Sequence, residues 1–485
     1  MRTELQVHRT LAPARSITVA LALSLGLASG CQPTAKNKNT IVLGAILDRT
    51  GINSELSWGD AMMLAESHVN LALEEAGYKN LAFRIPIRDS AGLADAALQE
   101  AISLVKVGVN EGPAKALLLA TSDEDLAVHR LYYDADTSND LSVPLICASC
   151  TSSSINSPTV SVPTDLVQQA AWRNGDKWNF RGIMSTKLVA KVLASLVVKN
   201  GDSNHDGKVK VSVYYVDDSF GGGAKKDLDA ELKTQLDGGA PYVLEAIAHP
   251  RDIDTNSYPW AQDVGKLIDT HNETTGTTDG LPDMVVSANL VLQESAYTRA
   301  YKESGSTIPT LHFHTFRASS ALRAIAQLAE GEQGVSHLLL EDDDSGNVFK
   351  RDYQLAFGTP VVYRDAIYYD TAMTLMLGAL KATIPLDDPT QVTGTQIRDA
   401  MVTMAQTASQ GTVVRTGKDE VVKALTALRK GLPINYEGAS GPMDLDANLN
   451  VVDKLARFQV VNGLFEDMAV FDCVKDPSCP KVSGQ

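Results

Sequence analysis

Cys147-Ala148-Ser149-Cys150 sets two thiols at a spacing that serves dithiol redox exchange, metal binding or a structural bridge. A redox pair opens a helix, whose dipole lowers a thiol pKa. This pair instead follows the apolar run Val143-Pro144-Leu145-Ile146 and leads into Thr151-Ser152-Ser153-Ser154. That order favours a bridge or two inert thiols, and no second ligand pair stands nearby to complete a zinc site. Cys473 and Cys479 enclose a short Pro-containing turn that can bring their Cα atoms within about 7 Å, so loop length favours their pairing. His312 and His314 alternate on an apparent strand and share one face, but no third ligand accompanies them. Asp202-Ser-Asn204-His-Asp206-Gly207 has the first half of an EF-hand loop, yet Val213 stands where the bidentate Glu belongs. Asp444-Leu-Asp446-Ala-Asn448 is a similar polar turn, and Glu341 to Gly346 reads as a solvated acidic loop. The chain has no GxSxG elbow, Walker loop or HExxH helix, and Gly221-Gly222-Gly223 reads as a flexible turn. Neither an enzyme nor a resident cofactor or metal is expected.

The fifth cysteine carries a different chemistry. Residues 1–30 read as a secretory signal: Arg2, Arg9 and Arg15 precede an apolar stretch, Ile17 to Leu27, and then small residues. Leu27-Ala28-Ser29-Gly30-Cys31 resembles the lipobox of bacterial lipoproteins, whose cysteine is lipidated, although Ala28 stands where that pattern usually has Leu. Lipidation of Cys31 would hold the body at a membrane face, because each buried CH₂ contributes about 0.8 kcal/mol; the alternative is an ordinary secreted chain with a free thiol. Residues 31–40 read as a polar tether.

The chain of 485 residues has a formal charge of −16, and loss of a leader carrying three Arg and Glu4 takes it to −18. Nucleic acid and anionic lipid headgroups are poor partners for such a body, so the lipid is its one expected membrane contact. An address in the cell envelope, on the extracytoplasmic side, follows. The four cysteines beyond Cys31 fit an oxidising compartment.

From Ile41 onward, apolar strand-like runs alternate with helical periodicity: Ile41–Leu47 as a strand, Trp58–Ala76 as a helix, Leu81–Ile87, Ala114–Ala120 and Val143–Ile146 as further strands. The alternation resumes after residue 182, with Val209–Val216, Tyr242–Ala248 and Met284–Ser287 as strands. Two α/β lobes with parallel-rich sheets follow, and a cleft between them at the carboxyl ends of their strands.

Ile41-Val-Leu-Gly-Ala-Ile-Leu-Asp-Arg-Thr-Gly51 resembles the opening strand and turn of the type I periplasmic binding proteins, in the leucine/isoleucine/valine-binding branch. Val143-Pro-Leu-Ile146 with Ser149 to Ser152 is similar to that family's "PLISPSATS" segment, and Asn179-Phe-Arg-Gly182 to its "YVFR" crossover. Tyr214 to Gly223 looks like its "LYDDDAYGQG" turn, Tyr368 to Ala372 like "AYDAV", and Gly441 to Asp446 like the start of "GPVSFDENG". The resemblance implies two Rossmann-like lobes joined by three crossovers: residues 41–182 and 313–435 in the first, 183–312 and 436–485 in the second. It also implies a small polar ligand, such as an amino acid, bound in the cleft and passed to the membrane subunits of an ABC transporter; another envelope protein is the alternative partner. Carried over by position, the candidate ligand residues are Thr121, Ser122, Ser149, Cys150, Thr151 and Ser152, with Phe220 replacing a family tyrosine and Trp58 able to stack. Ser and Thr at such places also cap helices and form turns. Asp123-Glu124-Asp125 follows Ser122 where the family tends to have small neutral residues; if these acids faced the cleft they would disfavour a carboxylate ligand.

Overall fold

The computed structural model describes residues 39–157, 165–237, 239, 241–269, 271–272, 277–278, 280–338, 340–474 and 476–484. Cys31, the leader and the tether up to residue 38 lie outside them.

Leu43 divides the expected first strand in two. Asn39–Val42 pairs in parallel with Leu81–Arg84, so this strand takes in Asn39 and Thr40, the last two residues of the expected tether. Gly44–Leu47 joins a different sheet. The break lies opposite Pro86: its carbonyl accepts from Ala45 N–H at 3.0 Å, but it has no N–H to return to the ladder.

The first sheet has five parallel strands in the order Ile87–Asp89, Gly44–Leu47, Leu117–Leu119, Leu145–Cys147, Asn179–Arg181. Its strands are short and, apart from the edge strand Ile87–Asp89, buried on both faces, with side chains that alternate between two cores. Leu118 and Ile146 pack with helices Ser57–Glu75 and Asp365–Thr383 on one side. Leu117, Leu119 and Leu145 pack with helices Ala94–Ile102 and Ser122–Arg130 on the other.

The second sheet has eight strands. Five run parallel in the order Tyr242–His249, Val209–Val216, Met284–Ala288, Thr310–His312, Gln333–His337, followed by antiparallel Lys454–Val461, Leu464–Asp472 and Lys481–Gly484. Helices Thr186–Asn200 and Ser219–Gln235 cover one face, and Trp260–Leu267 with Val291–Glu303 the other. In both sheets the second strand lies outside the first and the third lies on its other side. Each sheet therefore has a topological switch point between its first and third strands, the position at which open α/β sheets bind ligands.

Two boundaries differ from expectation. Residues 313–435 do not all return to the first lobe, because Gln333–His337 lies between Thr310–His312 and Lys454–Val461 in the second sheet. Val335 is its single aliphatic residue, which left no strand pattern to read. The return falls between His337 and the helix Asp344–Phe357, from which point buried side chains join the first sheet's core. At the other end, Ile434–Tyr436 pairs with Thr412–Val414, and the second sheet resumes at Lys454 rather than at residue 436.

Candidate functional site

The loops leaving the two switch points face each other. Asn53, Thr121 and Ser122 come from the first sheet and Asp218, Phe220 and Leu290 from the second; Ser149, Thr151, His314, Thr315, Asp123, Arg251 and Arg364 complete the lining of one enclosed space. About 20 Å³ of it is open to the centre of a water molecule, room for one or two waters. A longer groove, bordered by Asp95, Arg130, Asp217 and Lys226, runs outward from the same Asp123 and Arg251.

Local sequence explains the placement. Thr121 is the N-cap of the Ser122–Arg130 helix, and Glu124 reaches back to accept the Thr121 N–H at 3.0 Å, a capping-box contact that pins the helix start to the end of the strand. Asp218 caps the Ser219–Gln235 helix, its Oδ1 accepting from Phe220 N–H at 2.9 Å and Gly221 N–H at 2.8 Å. Asp48 does similar work in the first loop, taking the Gly51 N–H at 2.6 Å and the Asn53 N–H at 2.9 Å. The loop holding Ser149 is clipped by a disulfide between Cys147 and Cys150, whose Cα atoms lie 5.6 Å apart. Cys473 and Cys479 form the second bridge, with a Cα separation of 4.1 Å. A carboxylate oxygen of Asp125 lies within 4.8 Å of the sulfurs of Cys147 and Cys150, but bridged sulfurs are not thiolate ligands, and Asp125 accepts from Asn179 Nδ2 at 2.6 Å.

Arg251 ties the two sides together. Its guanidinium donates to the carboxylate of Asp123, to Asp218 Oδ2 at 3.3 Å and to the Gly92 carbonyl at 2.6 Å. Asp123 also accepts from Ser219 N–H at 3.3 Å, and Ser152 Oγ donates to the Ser219 carbonyl at 2.8 Å. Leu292 N–H donates to the Ile52 carbonyl at 3.1 Å on the same face. Burial, then the neighbouring Asp123, pushes the Asp218 carboxyl up to about 7. Of the three acids after Ser122, Asp123 alone lines the space, and Arg251 neutralises it; Glu124 and Asp125 are buried elsewhere, and burial raises each to about 7.

Of the ligand candidates, Thr121, Ser122, Ser149, Thr151 and Phe220 come together in the lining. Three do not. Trp58 is a core residue, 1% exposed, stacked on Tyr368 at 4.7 Å and donating its Nε1–H to the Tyr363 carbonyl at 3.2 Å. The Cys150 side chain is consumed by its bridge, and Ser152 is spent on the contact with Ser219.

The two histidines do not share a face either, because the strand ends at His312 and a 3₁₀ turn begins at His314. His314 lines the space, with Nε2 3.3 Å from Thr151 Oγ1 and its ring 5.1 Å from Phe220; burial first, then Arg364 and His337, keeps it neutral. His312 sits inside the second lobe between Glu294 (Nδ1 to Oε1, 2.5 Å) and Glu332 (Nε2 to Oε2, 2.6 Å). Burial opposes its charge, but the two glutamates outweigh it and push His312 up to about 9. Glu332, which also meets Lys302 and Thr310, is brought down to about 2 by these partners against the effect of burial.

Asn53, Arg251, Leu290, Thr315 and Arg364 were not legible as site residues. Arg364 did leave a trace: Arg364-Asp365 opens a helix, and a cation at a helix N-terminus opposes the dipole.

No family model matches the chain, and no curated protein sequence does. Solved structures do. A leucine-binding protein from Thermotoga maritima superposes with a TM-score of 0.62 at 15% identity, covering 89% of this chain and 99% of its own. The fold is that of the type I periplasmic binding proteins. A branched-chain amino acid transporter substrate-binding protein from Streptococcus pneumoniae, solved with isoleucine, matches with a TM-score of 0.59 and 17% identity over 88% of this chain and 98% of its own. A solute-binding protein of an ABC transporter from Rhodopseudomonas palustris, in complex with 3,4-dihydroxybenzoic acid, matches with a TM-score of 0.60 and 18% identity over 91% and 99%. In this periplasmic-binding-protein fold, the enclosed space lies where the two sheets present their strand ends to one another.

Proposed function

We propose that this chain is an extracytoplasmic solute-binding protein that takes a small polar ligand between its two sheets and delivers it to an ABC-type transporter. The observation that carries the reading is the meeting of both switch-point loops at one space lined by hydroxyls, a histidine and two arginines. The space is smaller than an amino acid, so loading requires the lobes to part, and the polar contacts of Arg251, Ser152 and Ser219 are those a hinge motion would break and remake. Structural neighbours named for leucine, isoleucine and aromatic acid ligands support a ligand of that size. No covalent step is required of any residue.

Cys31 supplies the anchor in this reading: acylation of its thiol would tether the body to the membrane that holds the transporter. Among the described residues no helix is long and apolar enough to cross a membrane.

The test is native mass spectrometry of gently purified protein, followed by melting curves with amino acids, aromatic acids and their amides. A ligand at 100 times its Kd stabilises the folded state by about 2.7 kcal/mol. The absence of both a retained ligand and any melting shift would defeat the reading. The smallness of the space favours a second reading, an envelope lipoprotein whose cleft is closed on itself and whose outer face engages a protein partner; capture of that partner with no small-molecule shift would decide for it.

A further inference from the structure

Arg364 is 3% exposed, and among the described residues no carboxylate lies within ion-pair distance of its guanidinium. Its guanidinium lies 5.0 Å from the ring of Tyr363 and hydrogen-bonds to that side chain, while its buried Nε has no hydrogen-bond partner. The neighbouring Asp365 does not serve as counterion: its carboxyl accepts Val362 N–H at 2.8 Å, and burial raises it to about 7. The backbone of Arg364 is left-handed, with φ of 71°, a conformation that costs a non-glycine residue on the order of 1 kcal/mol and persists where surroundings demand it.

Around this cation, in the same enclosed space, Asn53 Oδ1, His314 Nδ1 and Thr315 Oγ1 are also buried without partners. Buried polar atoms in native proteins are nearly always paired, so four in one space, Arg364 Nε among them, mark a place built for something. The two acids of the lining are occupied: Asp123 by Arg251 and Ser219, Asp218 by Arg251 and two backbone N–H groups. His314 and His337, which both feel the charge of Arg364, are held neutral by burial and by Arg364 itself. The guanidinium of Arg364 is thus left with no carboxylate in contact, with hydroxyls beside it and Phe220 and Leu290 as the apolar wall.

We propose that Arg364 receives the anionic group of the ligand and that the ligand class is compact monocarboxylates with no ammonium group. The inference rests on the solute-binding reading above and narrows it. A planar guanidinium pairs with a planar carboxylate through two parallel N–H···O bonds, and the surrounding hydroxyls donate to the remaining lone pairs. One guanidinium without a carboxylate in contact offers one bidentate site, which a single carboxylate fills. An α-ammonium would find no carboxylate free to receive it, so an amino acid pays desolvation without return.

The test compares benzoate, benzamide and leucine by calorimetry and by melting curves on the full exported chain and on Arg364→Gln. Wild type should bind benzoate at least 30-fold more tightly than either benzamide or leucine. The variant should lose 30-fold or more in benzoate affinity, the loss expected when one partner of a buried charged pair is removed. Without ligand, Arg364→Gln should melt higher than wild type, because it no longer buries an unpaired charge; a purely structural arginine would give the opposite sign. Wild-type binding of benzamide or leucine as tight as that of benzoate overturns the proposal while leaving solute binding intact. Binding of none of the three, with no ligand retained on purification, overturns both. The wild-type comparison does not depend on the variant folding.

Discussion

Replacing His312 by Gln removes, among the described residues, the cation that touches Glu294. In the native protein the charges balance: Glu294 and Glu332 are met by His312, and Lys302 also reaches Glu332. After the substitution Glu332 keeps Lys302, but Glu294 keeps only Ser287 and Asn289, so one buried carboxylate is left without a counterion. Breaking a buried pair from one side costs about 3–5 kcal/mol. The titration of His312 gives a similar size: a rise from 6.5 to about 9, at about 1.4 kcal/mol for each unit, corresponds to about 3 kcal/mol. That value is counted once, because the lowering of Glu332 reports the same contacts. The pH dependence has a definite sign. A histidine raised on folding contributes fully below its unfolded value of 6.5, and the contribution is lost as pH rises through about 9. A glutamate lowered on folding contributes fully above 4.5, and loses that contribution as pH falls through about 2. The gap between wild type and His312→Gln, measured by urea unfolding with far-UV circular dichroism, should therefore be widest near pH 6 and narrow steadily towards pH 9. A gap under about 1 kcal/mol at pH 6, or one that stays constant up to pH 9.5, would refute this account of the network.

Burial raises the carboxyls of Glu124, Asp125, Asp218 and Asp365 to about 7 and that of Asp370 to about 6. Each of these carboxyls takes up a proton on folding between about pH 4 and 7, whereas the histidines buried neutral, His129, His314 and His337 among them, give one up below about 6.5; above that value the carboxyls dominate, so the melting temperature should be higher at pH 6.5 than at pH 7.5, and the reverse order would contradict it. Arg251→Ala should weaken closure of the lobes by about 1–3 kcal/mol, seen as a larger radius of gyration in solution scattering without ligand. Trp58→Ala should cost about 3–5 kcal/mol of stability with ligand affinity unchanged, whereas Phe220→Ala should lower affinity. Joint replacement of Cys147 and Cys150 by Ser should cost about 2 kcal/mol through loop entropy, read as a lower urea midpoint.

The α/β alternation was legible because strands covered on both faces are nearly all apolar, as Leu117–Leu119 and Met284–Ala288 are. So were the hydroxyl groups of the site, since Thr121, Ser149 and Thr151 follow such strands directly. Gln333–His337 escaped because its burial comes from neighbouring strands rather than from its own composition. Arg251 and Arg364 escaped for a different reason. One is paired across the two sheets and the other is unpaired within them, and neither state exists until residues more than a hundred positions apart are brought together. Trp58 was misassigned because an aromatic at a helix start looks the same whether it faces a ligand or Tyr368.

The bridge between Cys147 and Cys150 closes over Ser149, one of the hydroxyl groups lining the enclosed space. The loop is therefore finished by an oxidation rather than by folding alone. A chain kept under reducing conditions would hold both sheets yet carry Ser149 on a slack segment, and its readiness to receive a ligand would be written in the redox history of two atoms.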